Sequence, residues 1–179
     1  MNKDLIHVYL MPGMAANPTI FEYIKLPEYQ FKIHWLNWIT PFKDELLADY
    51  AKRITQQINH DDIVLLGVSF GGVLVQEISK FLTVKKLIVV SSIVSRHQLP
   101  KRLKIIKATK AYKVLPTQLL SNVDMFAKFT FGSFIKRRFY LYKKYLSVND
   151  KRYLDWAIKQ MVSLLEIPLA NGIVQYVHL

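Results

Sequence analysis

The segment from Ile63 to Phe81 constrains this chain more than any other. A β-branched apolar run, Ile63-Val64-Leu65-Leu66, leads into Gly67-Val68-Ser69-Phe70-Gly71-Gly72, and apolar residues then recur at helical spacing through Val73, Leu74, Ile78 and Phe81. A strand that becomes a helix within a few residues must turn sharply. Gly67 and Gly71 flank the turn because side chains there would collide with the neighbouring strand and helix. The turn lifts the Ser69 side chain above the end of the strand, beside helix N-terminal amides that favour developing negative charge. The pattern therefore predicts a serine presented for acyl-transfer chemistry.

The rest of the first half fits a parallel sheet around that strand. Ile6 to Met11 is a short apolar run closed by Pro12-Gly13, which reads as a buried strand and a turn. Asn17-Pro18 opens a short helix through Phe21 and Ile24. Gln30 to Leu36 alternates polar and apolar residues, as a strand near a sheet edge does. Asp44 to Asn59 carries Leu46, Leu47, Tyr50, Ala51, Ile54 and Ile58 at helical spacing, with acids in its first turn. Lys86 to Ser91 is a second fully buried strand. Strands alternating with helices predict an α/β fold, a mostly parallel sheet covered on both faces.

From about Leu99 to Leu165 strand-like runs vanish and the apolar residues fall at helical spacing, ending with Tyr153, Leu154, Trp156, Ala157, Met161 and Leu164. The expected organisation is a core over 1–95, a helical cap or lid over 96–166, and a returning core strand in 167–179. Charge follows the same division. Of the 25 Lys/Arg and 13 Asp/Glu, 16 basic and 3 acidic residues lie between Arg96 and Gln160, so the core is near neutral and the cap is strongly basic. Lys136-Arg137-Arg138 and Lys143-Lys144 are interleaved with aromatics such as Phe134, Phe139, Tyr140 and Tyr142. At helical spacing these aromatics are expected to line a substrate cavity near Ser69 while the lysines face water. A weak contact with an anionic membrane is the secondary reading of this surface, and nucleic acid is not expected as a partner.

No apolar run approaches the roughly 18–20 residues of a membrane span. Leu5 to Met11 is too short for a secretory signal, since His7 breaks it and Pro12 ends it, so a cytoplasmic protein is expected. Cysteine is absent, which removes disulfides, thiolate metal sites and cysteine nucleophiles together.

An acyl-transfer site needs two donors for the oxyanion. The Phe70 amide, next after the serine, is one. The Met14 amide, in the loop after the first strand, is the second candidate. With Tyr9-Leu10-Met11-Pro12-Gly13-Met14 at the first strand and Leu65-Leu66-Gly67-Val68-Ser69-Phe70-Gly71-Gly72 at the turn, the chain resembles the small esterase-like and lipase-like members of the α/β-hydrolase superfamily. The resemblance implies hydrolysis of a carboxylic ester or thioester of a small acyl compound, a helical lid, and no metal or organic cofactor. An acyltransferase of the same fold and a non-catalytic binding protein are the alternatives.

That family orders its triad as Ser, then Asp or Glu, then His. The acid follows the strand after the lid, yet here the strand runs into His178-Leu179. The expectation is a chain truncated before its acid and histidine, lacking the C-terminal strand and helix, and inactive by itself. His7 and His34 fall within strands, His60 in a polar turn and His178 at a structural position. His97, at the lid entrance, is the one histidine near the expected site, and a hinge or surface role suits it better than that of base.

Overall fold

A computed structural model describes residues 5–92, 144–163 and 174–177 of the 179. Five strands form one sheet: β1 (Ile6–Met11), β2 (Phe31–Trp35), β3 (Ile63–Val68), β4 (Val84–Val90) and β5 (Val174–Val177), in the order β2-β1-β3-β4-β5. Every neighbouring pair is parallel. The alternating segment Phe31–Trp35 lies at the sheet edge, and the unbroken apolar run Ile63–Val68 lies at its centre. Half-buried strands alternate, whereas strands covered on both faces do not.

The two faces bury different sets. Tyr9, Met11, Leu65, Leu87 and Val89 join one core cluster, and Val8, Leu10 and Val64 join another with Phe21, as the two-residue period of a strand requires. Helices α1 (Leu47–Ile54), α2 (Phe70–Ile78) and α3 (Lys151–Ser163) contribute to the first cluster. In α1, Leu47, Tyr50, Ala51 and Ile54 are buried on one stripe. In α2 every residue is buried, including Gln76 and Glu77. The Gln76 amide donates to the Gly72 carbonyl at 3.0 Å, and Glu77 pairs with Lys80 at 2.7 Å.

Several elements differ from their sequence-based bounds. The helix expected over 17–24 is one 3-10 turn, Pro18–Phe21, capped by the Asn17 side chain, which accepts from the Thr19 amide. The helix expected from Asp44 begins only at Leu47, because Glu45 has another task. Its carboxylate is buried, accepts the Phe42 amide at 2.8 Å and pairs with Arg53 at 2.7 Å. Helix α2 starts at Phe70 rather than Val73, directly after the turn.

Helix α3, from the end of the expected cap segment, is built into the core. Tyr153, Leu154, Trp156 and Ala157 are buried in the same cluster as Tyr50 and Phe70. The Trp156 indole donates to the Glu45 carbonyl at 2.7 Å, and its ring lies 4.2 Å from that of Tyr50. The Asp150 carboxylate accepts the Tyr153 amide at 2.6 Å, capping the helix start. Trp156→Ala is expected to cost about 3–5 kcal/mol, from lost burial and the cavity left behind. Urea unfolding checks this against Tyr23→Ala at a 77% exposed site, which should stay within about 0.5 kcal/mol of the parent. Among the described residues no helix is long and apolar enough to cross a membrane.

Candidate active site at the ends of β1 and β3

The strand order places the reversal of the chain between β1 and β3, where doubly wound sheets leave a crevice beyond their C-terminal strand ends. Met11 pairs with Gly67, so Pro12-Gly13-Met14 and Val68-Ser69 leave the sheet side by side. This pairing sets the geometry of everything that follows.

Ser69 joins β3 to α2 as the N-cap residue, with φ 53° and ψ −122°. Such a conformation costs a non-glycine residue on the order of 1–3 kcal/mol and persists only where its surroundings impose it. Three hydrogen bonds do so here. The Ser69 amide donates to the Val90 carbonyl at 2.9 Å, the Gly72 amide donates to the Ser69 carbonyl at 2.9 Å, and the Ser92 hydroxyl donates to that same carbonyl. The Ser69 side chain makes no capping bond to the helix and is exposed. No acidic residue stands in the first turn of α2, so nothing there cancels the positive end of the helix.

The glycines work by close approach. A Cβ on Gly67 would stand 2.3 Å from the Gly71 carbonyl oxygen, and one on Gly71 would stand 2.2 Å from the Pro12 carbonyl oxygen. The start of α2 is therefore pressed against both its own strand and the loop after β1. A Cβ on Gly13 would lie 3.5 Å from the Ser69 Cβ, which puts that loop in contact with the serine. Neither the Phe70 amide nor the Met14 amide enters a backbone hydrogen bond among the described residues.

The loop is held from behind by side chains that the sequence did not single out. Trp38 donates its indole N–H to the Gly13 carbonyl at 3.0 Å and stacks on Phe70 at 5.5 Å. Ala15, at φ 62°, donates its amide to the Tyr153 hydroxyl at 3.4 Å. Burial pushes the Tyr153 phenol well above its ordinary value, so it stays neutral. No local pattern could have revealed Trp38, Tyr153 or Ser92, because each acts on a residue remote in the chain.

The structure brings Ser69, Gly67, Gly71, Phe70 and the Met14 loop together at one sheet edge. His7, near the start of β1, and His60, before the start of β3, meet His34 of the edge strand β2 instead. His7 precedes Met11 by four residues, about 13 Å along the strand, and the rings of His34 and His60 pack against His7 and Tyr9 rather than against Ser69. His97, His178, the basic run 136–138 and the cavity aromatics fall outside the described residues. Of the basic segment, Lys144, Lys151, Arg152 and Lys159 are described; Lys144 pairs with Glu22 at 2.6 Å, Lys151 with Asp155 at 2.7 Å and Lys159 with Asp44 at 3.0 Å.

No family model matches the sequence, and no curated protein matches it at the sequence level. Solved structures do match its fold. An alpha/beta hydrolase fold protein from Burkholderia ambifaria is similar over 98% of this chain and 73% of its own, at 13% identity and a TM-score of 0.61. The RedJ thioesterase of the prodiginine biosynthetic pathway in Streptomyces coelicolor is similar over 88% of this chain and 63% of its own, at 14% identity and a TM-score of 0.58. This chain has the α/β-hydrolase fold. MenH from S. aureus shares it over 93% of this chain and 68% of its own, at 13% identity and a TM-score of 0.54. The chain thus spans roughly two thirds of the length of the α/β-hydrolase structures it resembles. The residue at the β3–α2 strand-to-helix junction of this chain is Ser69.

Proposed function

We propose that the chain is the core of a serine hydrolase acting on a carboxylic ester or thioester. The observation that carries this reading is the strained Ser69 at the N-terminus of α2, with the Gly13 loop against it and the Phe70 and Met14 amides outside any backbone hydrogen bond among the described residues. Ser69 Oγ attacks the acyl carbonyl carbon as a histidine takes the hydroxyl proton. The Phe70 and Met14 amides hold the resulting oxyanion. The histidine returns the proton to the departing alcohol or thiol, and water then hydrolyses the acyl-serine by the same route in reverse. On this reading the acid and the histidine come after Ser69 in chain order, as the triad order of this fold has them. A cytoplasmic setting and a soluble acyl substrate belong to the same proposal. That one of the similar folds is a thioesterase supports the acyl chemistry.

Two chains test this, the 179 residues alone and a longer one carrying an Asp and a His after Leu179, each assayed with short p-nitrophenyl esters. The longer chain is expected to turn over with Ser69 dependence. In the short chain Ser69→Ala is expected to change the rate little, since a serine hydroxyl without a base is a poor nucleophile. Ser69-dependent turnover by the short chain would locate the base within residues 1–179 and direct attention to His97. A folded longer chain without turnover would leave the hydrolase reading untenable.

A further inference from the structure

Around β1, three histidines from separate segments converge. His7 lies on β1, His34 on β2, and His60 in the turn before β3. His7 Nδ1 and His34 Nε2 are 2.8 Å apart. The His7 and His60 rings stack at 3.5 Å, and those of His34 and His60 lie 5.0 Å apart. One ring nitrogen from each falls within 4.8 Å of the other two.

We propose that His7, His34 and His60 form a binding site for a divalent transition-metal ion of the zinc class. Imidazole is the ligand such ions share, and three imidazoles with one open position make a familiar tetrahedral set. Burial first, and the neighbouring His60 and Lys32 charges second, push His7 and His34 below the ordinary histidine value, which favours the neutral form a metal needs. Lys32 supplies part of that charge and also opposes a bound cation, whereas Asp61 and Asp62, exposed in the turn beside His60, attract one.

Tyr9 supplies the support that metal-binding histidines need from behind. Its hydroxyl lies 2.7 Å from His60 Nδ1 and accepts the Asn59 amide at 3.2 Å, which leaves His60 Nε2 as the coordinating atom. Its ring stacks on His34 at 4.4 Å and fixes that ring too. Coordination requires two adjustments. The His7–His34 contact opens to about 3.3 Å, the spacing of two nitrogens bound at 2.0–2.1 Å in a tetrahedron. His60 also turns out of its stack, because a metal lies in the plane of an imidazole ring. His60 is the most open of the three, so it is the ring that turns, about its hydrogen bond to the Tyr9 hydroxyl. The ion would tie β1, β2 and the segment before β3 together without using Ser69, so the site stands independently of the hydrolase reading.

The test uses the 179-residue chain without a polyhistidine tag, stripped with EDTA and titrated calorimetrically with zinc chloride. One ion per chain is expected, at micromolar affinity or tighter, with a rise in melting temperature. Cobalt(II) should give the intense visible absorption of a four-coordinate ion. His60→Gln, folded by circular dichroism, is expected to weaken binding about tenfold or more, the smallest loss seen when metal-site partners are removed. His34→Gln should behave likewise, and if it does not fold, His60→Gln decides alone. Binding no tighter than millimolar, or binding that these substitutions leave unchanged, would overturn the proposal in favour of a metal-free imidazole–tyrosine network.

Discussion

Ser69→Ala, in a chain that carries the triad acid and histidine, is expected to lower kcat for a short p-nitrophenyl ester by about 10⁶-fold while KM moves little. Triad members act as a unit, and loss of the serine alone costs a serine protease about as much as losing all three. What survives is the contribution of binding and of the oxyanion amides, about 10³–10⁴ over water. KM should hold because the hydroxyl contributes to the transition state rather than to the resting complex. Backbone strain supplies a second readout on the same residue. Alanine keeps the Cβ and therefore the cost of φ 53°, whereas glycine does not. Ser69→Gly should be equally inactive yet more stable in urea by about 1 kcal/mol, the relief of strain less the added freedom of the unfolded chain. A glycine variant less stable than the alanine variant would mean that Ser69 carries no strain. An alanine variant retaining most of the activity would remove it as nucleophile.

Gly71→Ala is expected to be the most damaging methyl added anywhere in the core. The new Cβ would stand 2.2 Å from the Pro12 carbonyl oxygen and 2.6 Å from that of Met11, and both obstacles are backbone. A side chain could rotate aside. A strand end cannot, so α2 and β1 must part by more than an ångström across their packed contact. Overpacking costs about 1–3 kcal/mol where neighbours can adjust. Here about 4 kcal/mol or more is expected, a large share of the ~5–15 kcal/mol that holds a domain folded. Gly67→Ala, with the Gly71 carbonyl oxygen at 2.3 Å, should behave in the same way. Gly13→Ala is the control, because its Cβ would meet Ser69 Cβ and Val68 O at an ordinary 3.5 Å, and about 1 kcal/mol or less is expected. Chemical denaturation of the three variants checks the ranking, and a Gly71→Ala protein as stable as the parent would contradict the packing described for the turn.

Much of this fold is legible without coordinates because its signals are local. Ile6–Met11 is a strand with the bounds its apolar run and Pro12 suggest, and Ile63–Val68 enters its turn where the glycines begin. Alternation in Phe31–Trp35 marks an edge, and unbroken apolarity in Ile63–Val68 marks the centre, since exposure is written into each strand residue by residue. Helix limits were less accessible. Nothing near Glu45 in the chain says that its carboxylate is buried against Arg53, or that its carbonyl receives the Trp156 indole from 111 residues away.

The site divides along the same line. By itself the sequence determined that a serine stands between a buried strand and a helix with glycines on both sides, because steric demands within six consecutive residues leave few other turns. Only the tertiary structure decided that Trp38 and Tyr153 brace the loop beside Ser69, that Ser92 holds its carbonyl, and that His7, His34 and His60 meet around β1. Spacing along the chain encodes which face a side chain takes within its own element. Which faces then meet depends on strand order and register, and these emerge only when the whole sheet closes on its helices.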